Sequence, residues 1–261
     1  MHGPSNWFPS QQAPSRRSDN LELRSFSLGT LTVPLLCEVQ ERDSEDVVGY
    51  GRFDTTGFTL WPASTLIAGL VMAMGTKLCN TDVLDLGCGT GFCGIVASRF
   101  ARKAVLSDRE PRMLSLARQN ARLQSDGVAV TARYGWGAND AWPPERGGFG
   151  LVLASDVLYS SHEAMRYDAT MLRRFVELLD WSLAPGGTVL ISHVERNSRG
   201  LEDVMHAARR RFRVQLLDPS ECVGDAVLNQ RGNVGVRSAS VLRCSRESEV
   251  TSLAVPELGP L

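Results

Sequence analysis

The chain offers little to a membrane, a zinc ion or a polyanion. No apolar run approaches the ~20 residues of a membrane-spanning helix, and no apolar stretch of the secretory type opens the sequence. An intracellular protein of the cytoplasm or nucleus is therefore expected, with no membrane partner. The six cysteines (Cys37, Cys79, Cys88, Cys93, Cys222 and Cys244) include no C-x-x-C pair and no Cys/His cluster at zinc spacing. Free thiols in a reducing compartment are expected, and no metal site. Neither charge is in excess: 28 Lys and Arg against 29 Asp and Glu leave a net charge of −1. That removes a global electrostatic case for nucleic acid. The local run Arg209-Arg210-Arg211 with Arg213 reads as a solvated helix end.

Glycine, by contrast, is concentrated in one place. Val83-Leu84-Asp85-Leu86-Gly87-Cys88-Gly89-Thr90-Gly91-Phe92-Cys93-Gly94 reads as a buried strand, a tight turn and a helix start near Phe92. Glycines let a backbone come close to a ligand, and in an open α/β sheet ligands sit beyond the carboxyl end of such a strand. Two ligands suit the run. Gly89 to Gly94 satisfies the G-x-G-x-x-G of dinucleotide sites, with Asp108 downstream for a ribose. The overlapping D-x-G-x-G-x-G from Asp85 to Gly91 resembles the first motif of class I S-adenosylmethionine-dependent methyltransferases. Asp85 separates the readings, because it can pair with the ammonium of S-adenosylmethionine and would repel a pyrophosphate.

Strand and helix patterns alternate around this run. β-type segments at Leu21–Phe26, Thr30–Val39 and Val47–Phe53 predict a hairpin or three-stranded addition. Pro62 suits the first turn of a helix reaching about Met74. Strands near 81–86, 104–107, 127–133, 149–154 and 188–193 alternate with helices at 91–101, 109–124 and 163–183, the last ended by Pro185-Gly186-Gly187. After a short helix near 199–210, Phe212–Leu217 and Val234–Leu242 read as an antiparallel pair closing the sheet. The expected fold is α/β: a Rossmann-like, seven-stranded, mostly parallel sheet with helices on both faces and an N-terminal β-hairpin addition. The expected boundaries are a flexible arm over 1–20 (with Trp7-Phe8), a domain over 21–244 whose first part is the β addition at 21–54, and a loose tail over 245–261.

Aromatics are only 7% of the chain, so the tryptophans beside its turns stand out. Trp61 is either a core plug or an aromatic wall of the pocket, and Trp136 either packs or stacks on an adenine. Asp108 follows a strand and suits either ribose hydroxyls or a helix N-cap, roles that are compatible. Leu151-Val152-Leu153-Ala154-Ser155-Asp156-Val157-Leu158-Tyr159 delivers Asp156 and Tyr159 to the same crevice. This D-x-x-Y, joined to the G-x-x-x-W-P-A-S segment from Gly57 to Ser64, resembles the seven-β-strand protein lysine methyltransferases. Members of that family act on calmodulin, valosin-containing protein, Hsp70 chaperones and elongation factors.

The resemblance covers roughly residues 50–195. It implies that Trp61, Asp85, Gly87, Cys88, Gly89, Thr90, Gly91, Asp108, Trp136 and Ser155 line the S-adenosylmethionine site. It implies that Asp156 and Tyr159 stand by the transferred methyl and a protein lysine acceptor, in a monomeric enzyme. Where this chain has Asp85 and Cys88 the family commonly has Glu and Ala, both compatible with cofactor binding. Arginine and histidine acceptors remain open. The missing prolines of N/D-P-P-Y/F argue against a nucleic-acid base, and the intact loop argues against a non-catalytic scaffold.

Overall fold

The computed structural model describes residues 21–38, 56–124, 128–157, 169–194, 200–223 and 239–246. The expected arm at 1–20, the third β segment at 47–53, Tyr159, and the tail from 247 onward lie outside the described residues. Strands β1 (Leu21–Leu28) and β2 (Leu31–Glu38) form an antiparallel hairpin, turning at Gly29 with φ of +57°.

The other strands make one sheet: β3 (Asp82–Leu86), β4 (Lys103–Ser107), β5 (Ala129–Ala132), β6 (Phe149–Ser155), β7 (Leu183–Val194), β8 (Arg213–Leu217) and β9 (Ala239–Ser245). Their spatial order is β5-β4-β3-β6-β7-β9-β8, with β9 antiparallel to both of its neighbours and the rest parallel. Helices α1 (Ala63–Met74), α2 (Phe92–Ser98), α3 (Pro111–Arg122), α4 (Ala169–Ser182) and α5 (Gly200–Ala208) cover the two faces. None of the described helices is long and apolar enough to cross a membrane.

Strand alternation sorts the core. Val83, Leu151, Leu153 and Leu190 face α1, α2 and the hairpin, while Leu84, Leu86, Val152, Ala154, Val189 and Ile191 face α4 and α5. Burial on both faces is what the near-continuous apolar runs of a parallel sheet require. Local chemistry sets the helix ends. Pro62 stands just before α1, Gly75 ends it with φ of +49°, and Pro111 opens α3.

Two boundaries differ from expectation. The expected stop for α4 is Pro185-Gly186-Gly187, but α4 already ends at Ser182, and β7 begins at Leu183 and runs through the three residues. Leu183 lies opposite Phe149, a register shift before Leu151 absorbs the irregularity, and Gly186 adopts φ of +70°. Pairing with β6 thus overrides the local breaker. Likewise β9 extends to Ser245, because Cys244 and Ser245 find partners in Val189 and Arg213. Residues 234–238 of that predicted strand lie outside the described residues.

Candidate active site

β3 is flanked by β4 on one side and β6 on the other, and the chain winds away from it in both directions. That reversal opens a crevice at its carboxyl end. The turn there has positive φ at all three motif glycines: +69° at Gly87, +49° at Gly89 and +86° at Gly91. A Cβ on Gly89 would lie 2.9 Å from the Gly57 carbonyl, and one on Gly87 would lie 2.7 Å from Val157 Cγ1 and 3.3 Å from the Trp136 ring. The turn is therefore a cradle with no room for side chains.

Asp108, half-buried at the end of β4, faces this cradle. Its Oδ2 accepts from the Gly89 N–H at 3.1 Å and its Oδ1 from the Glu110 N–H at 2.9 Å. The N-cap position of α3 belongs to Glu110, which is extended; Asp108 acts one step earlier, by tying the turn into α3 to the glycine loop. Asp85 has a different immediate partner from the cofactor ammonium. Strand alternation turns it toward α2, where it is 2% exposed and its Oδ2 accepts from the Gly94 N–H at 2.8 Å. Burial pushes its carboxyl up to about 7; the Gly94 hydrogen bond opposes this and the Asp108 charge adds to it.

The pH consequence has a definite sign. Unfolded, Asp85 ionises near the ordinary value of about 3.9. Folded, it holds its proton to about 7. The native state therefore binds the extra proton between those values, and the stability this supplies is lost as pH rises from about 4 to about 7. Asp85→Asn keeps an oxygen for Gly94 and removes the titration. Urea unfolding should show wild type losing stability relative to this variant across that window, by at most about 4 kcal/mol.

Further elements fix the two tryptophans. Trp61, just before α1, donates its indole N–H to the Thr56 carbonyl at 3.0 Å. Trp136, after β5, meets Phe175 of α4 edge-on with ring centroids 5.2 Å apart. The Trp136 and Gly137 carbonyls accept from Arg174 Nε at 3.2 and 3.1 Å, so α4 holds this segment in place. Ser155 links α1 to β7: its Oγ lies 3.0 Å from both the Ser64 and the Ser192 hydroxyls. Cys88 and Cys93 are buried free thiols. Burial pushes both well up, with Asp108 and Asp85 adding at Cys88 and Asp85 at Cys93, so both are unreactive.

Asp156 follows Ser155 at φ of +53°, the one non-glycine residue with positive φ among those described. Its N–H donates to the Ser192 carbonyl at 2.8 Å, and its Oδ1 accepts from the Val194 N–H at 3.4 Å. Its side chain is 1% exposed and lies 3.4 Å from Nδ1 of His193, which makes no hydrogen bond of its own. Asp85, the glycine loop, Asp108, Trp136, Ser155 and Asp156 thus come from consecutive positions along one sheet edge. The reading from sequence passed over Ser192, His193 and Arg174, which carry no local motif. Gly57 and Ser64 were visible only as the ends of the G-x-x-x-W-P-A-S segment.

The donor set fits S-adenosylmethionine. A turn with glycine at every second position suits a ligand lying along its backbone, and Asp108 carries acceptors suited to ribose hydroxyls. The Asp108 carboxylate beside the loop suits a cationic, ribose-bearing cofactor better than a pyrophosphate, which it would repel. Among the described residues no cluster of His, Cys, Asp and Glu could hold a metal ion.

Comparison with known proteins agrees. A family model described as lysine methyltransferase matches residues 50–207. The protein N-lysine methyltransferase METTL21A of Danio rerio is 28% identical over 166 residues, 60% of this chain and 68% of that protein. The ribosomal protein L11 methyltransferase of Bradyrhizobium diazoefficiens is 36% identical over 115 residues, 43% of this chain but only 35% of that protein. The crystal structure of a TehB-like S-adenosylmethionine-dependent methyltransferase from Corynebacterium glutamicum superposes with a TM-score of 0.50 over 70% of this chain and 88% of that one. At 16% identity, that similarity speaks for the fold alone.

Proposed function

This chain belongs to the lysine methyltransferase family, and on that premise we propose that it methylates the side-chain amine of a lysine in a protein substrate. Dependence on S-adenosylmethionine comes with the family; the protein acceptor and its residue type are our reading. One observation carries it: a buried carboxylate, Asp156, stands at the strand end beside the glycine cradle, and its neighbour Val157 fills the space over Gly87.

The cofactor supplies an electrophilic methyl group on a sulfonium, so the acceptor must bring a free lone pair. A lysine amine titrates near 10.4, and freeing it of its proton at pH 7 costs roughly 4–5 kcal/mol. Withdrawal from water and the positive sulfonium would lower that value while the Asp156 carboxylate raises it. Asp156 therefore serves to bind the ammonium, and the proton leaves to solvent before the lone pair is aimed at the methyl. Asp156 holds and orients the incoming ammonium, and its fixed backbone spares it reorganisation. Tyr159, outside the described residues, would add a ring face or hydroxyl beside the acceptor. Trp61 and Trp136 wall the cofactor, Asp108 takes the ribose, and Gly87 to Gly91 with Cys88 and Thr90 form its bed. Asp85 supports that bed from below through Gly94. Alignment supplies most of the acceleration.

The test is transfer of labelled methyl from S-adenosylmethionine into a lysate of the source cell, with and without RNase, followed by acid hydrolysis of the labelled band. Methyl-lysine in a discrete RNase-resistant protein is expected. Label recovered as methylarginine or methylhistidine, or removed by RNase, would replace lysine as the acceptor.

A further inference from the structure

The N-terminal hairpin lies outside the matched family region, which begins at residue 50. It nevertheless reaches the glycine loop at two points. The first runs through Asn120 of α3, which is 0% exposed. Its Oδ1 accepts from the Leu36 N–H at 2.7 Å, and its Nδ2 donates to the Leu36 carbonyl at 3.0 Å and to the Thr90 carbonyl at 2.8 Å. One turn on, Gln124 Nε2 donates to the Pro34 carbonyl at 3.0 Å. The spacing explains the match: four helical residues advance about 6.0 Å, and two strand residues about 6.6 Å. The two amides therefore act as a substitute strand along the open edge of β2, covering groups that would otherwise need another partner. The second point is aromatic. Phe26 of β1 meets Phe92, the residue after Gly91, edge-on at 5.9 Å between ring centroids.

We infer that the hairpin is a structural half of the cofactor site, and that Asn120 is a positioning residue acting through Thr90. The amide holds the Thr90 carbonyl while Phe26 presses on Phe92, so Gly91, at the C-terminal end of the turn, is clamped on both sides. A glycine at positive φ such as Gly91 has high conformational entropy to lose on ordering. The hairpin removes that entropy before the cofactor arrives, which raises affinity without adding a contact to it. Asparagine is needed because the position makes one acceptor and two donor contacts at once, which neither aspartate nor leucine reproduces.

The experiment titrates the full chain with S-adenosylhomocysteine by calorimetry, at a temperature where near-UV circular dichroism shows each variant folded. The variants are Asn120→Asp, Phe26→Ala and, as a control for general destabilisation, Val204→Ala, buried in α5 on the far face of the sheet. Asn120→Asp and Phe26→Ala should weaken binding by about five- to tenfold, with faster amide exchange at residues 89–92. Val204→Ala should bind within about twofold of wild type. If Asn120→Asp does not fold, Phe26→Ala with Gln124→Ala carries the test. Unchanged binding in the folded hairpin variants overturns the inference, as does an equal loss in Val204→Ala. The measurement is independent of which acceptor is methylated.

Discussion

Asp156→Asn is expected to fold like the wild type and to transfer methyl groups about 10- to 100-fold more slowly, the loss of one charged hydrogen bond worth about 1.5–3 kcal/mol. Both halves of that expectation come from the same position. Asp156 sits at φ of +53°, where most side chains are strained. Asparagine occupies the left-handed region as readily as aspartate, and its amide oxygen can still accept from the Val194 N–H. What disappears is the carboxylate to which the proposed mechanism assigns the acceptor ammonium. Cofactor affinity should stay within about threefold, because the contacts of Asp156 with Ser192, His193 and Val194 lie on β7 and not on the glycine loop. Steady-state kinetics on the natural substrate, with calorimetry for S-adenosylhomocysteine, check this. Full activity in the variant would remove Asp156 from the positioning role.

Gly91→Ala is expected to destabilise the protein and to impair cofactor binding. A Cβ there would lie 2.6 Å from Leu106 Cδ2 and 3.1 Å from the Ala117 Cβ, so β4 and α3 must both give way. Overpacking costs about 1–3 kcal/mol, and φ of +86° adds about 1–2 kcal/mol for a residue with a side chain. Gly186→Ala isolates the second contribution: its φ is +70° but nothing stands within 4 Å of the added carbon. Urea unfolding should show the Gly186 variant losing about 1–2 kcal/mol and the Gly91 variant losing clearly more, with cofactor binding impaired only in the latter. Equal losses would mean that backbone conformation, not the packing of Leu106 and Ala117, makes glycine necessary.

Much of the site was legible because its residues are neighbours in sequence. The glycine turn announces itself in twelve positions, and Asp108 and Asp156 each close an apolar strand, where period and composition agree. The partners of those residues were not legible. Asp85 was read as a ligand for an ammonium, yet its carboxylate turns to the Gly94 N–H. Asn120, with no motif around it, bridges the hairpin and the loop. His193 lies against Asp156 because β6 and β7 are in register there, with Ser155 opposite Ser192. The breaker Pro185-Gly186-Gly187 was read as a gap and became part of a strand once Phe149 offered Leu183 a partner.

The sequence by itself determined the kind of molecule: alternating helix and strand patterns, a glycine-rich turn at the end of the first sheet strand, and carboxylates at successive strand ends. These are properties of short stretches, set by the 3.6 and 2.0 periodicities, by glycine's lack of Cβ and by the shape of proline, and they act before any distant contact forms. Only the tertiary structure decided which strand lies beside which, what each carboxylate meets, and that the hairpin belongs to the loop. Those outcomes depend on contacts between residues 84 apart, as Leu36 and Asn120 are, or 38 apart, as Asp156 and Val194 are. Such pairings are selected by the simultaneous burial of both faces of the sheet and the need to satisfy each buried polar group, conditions that no local window of sequence contains.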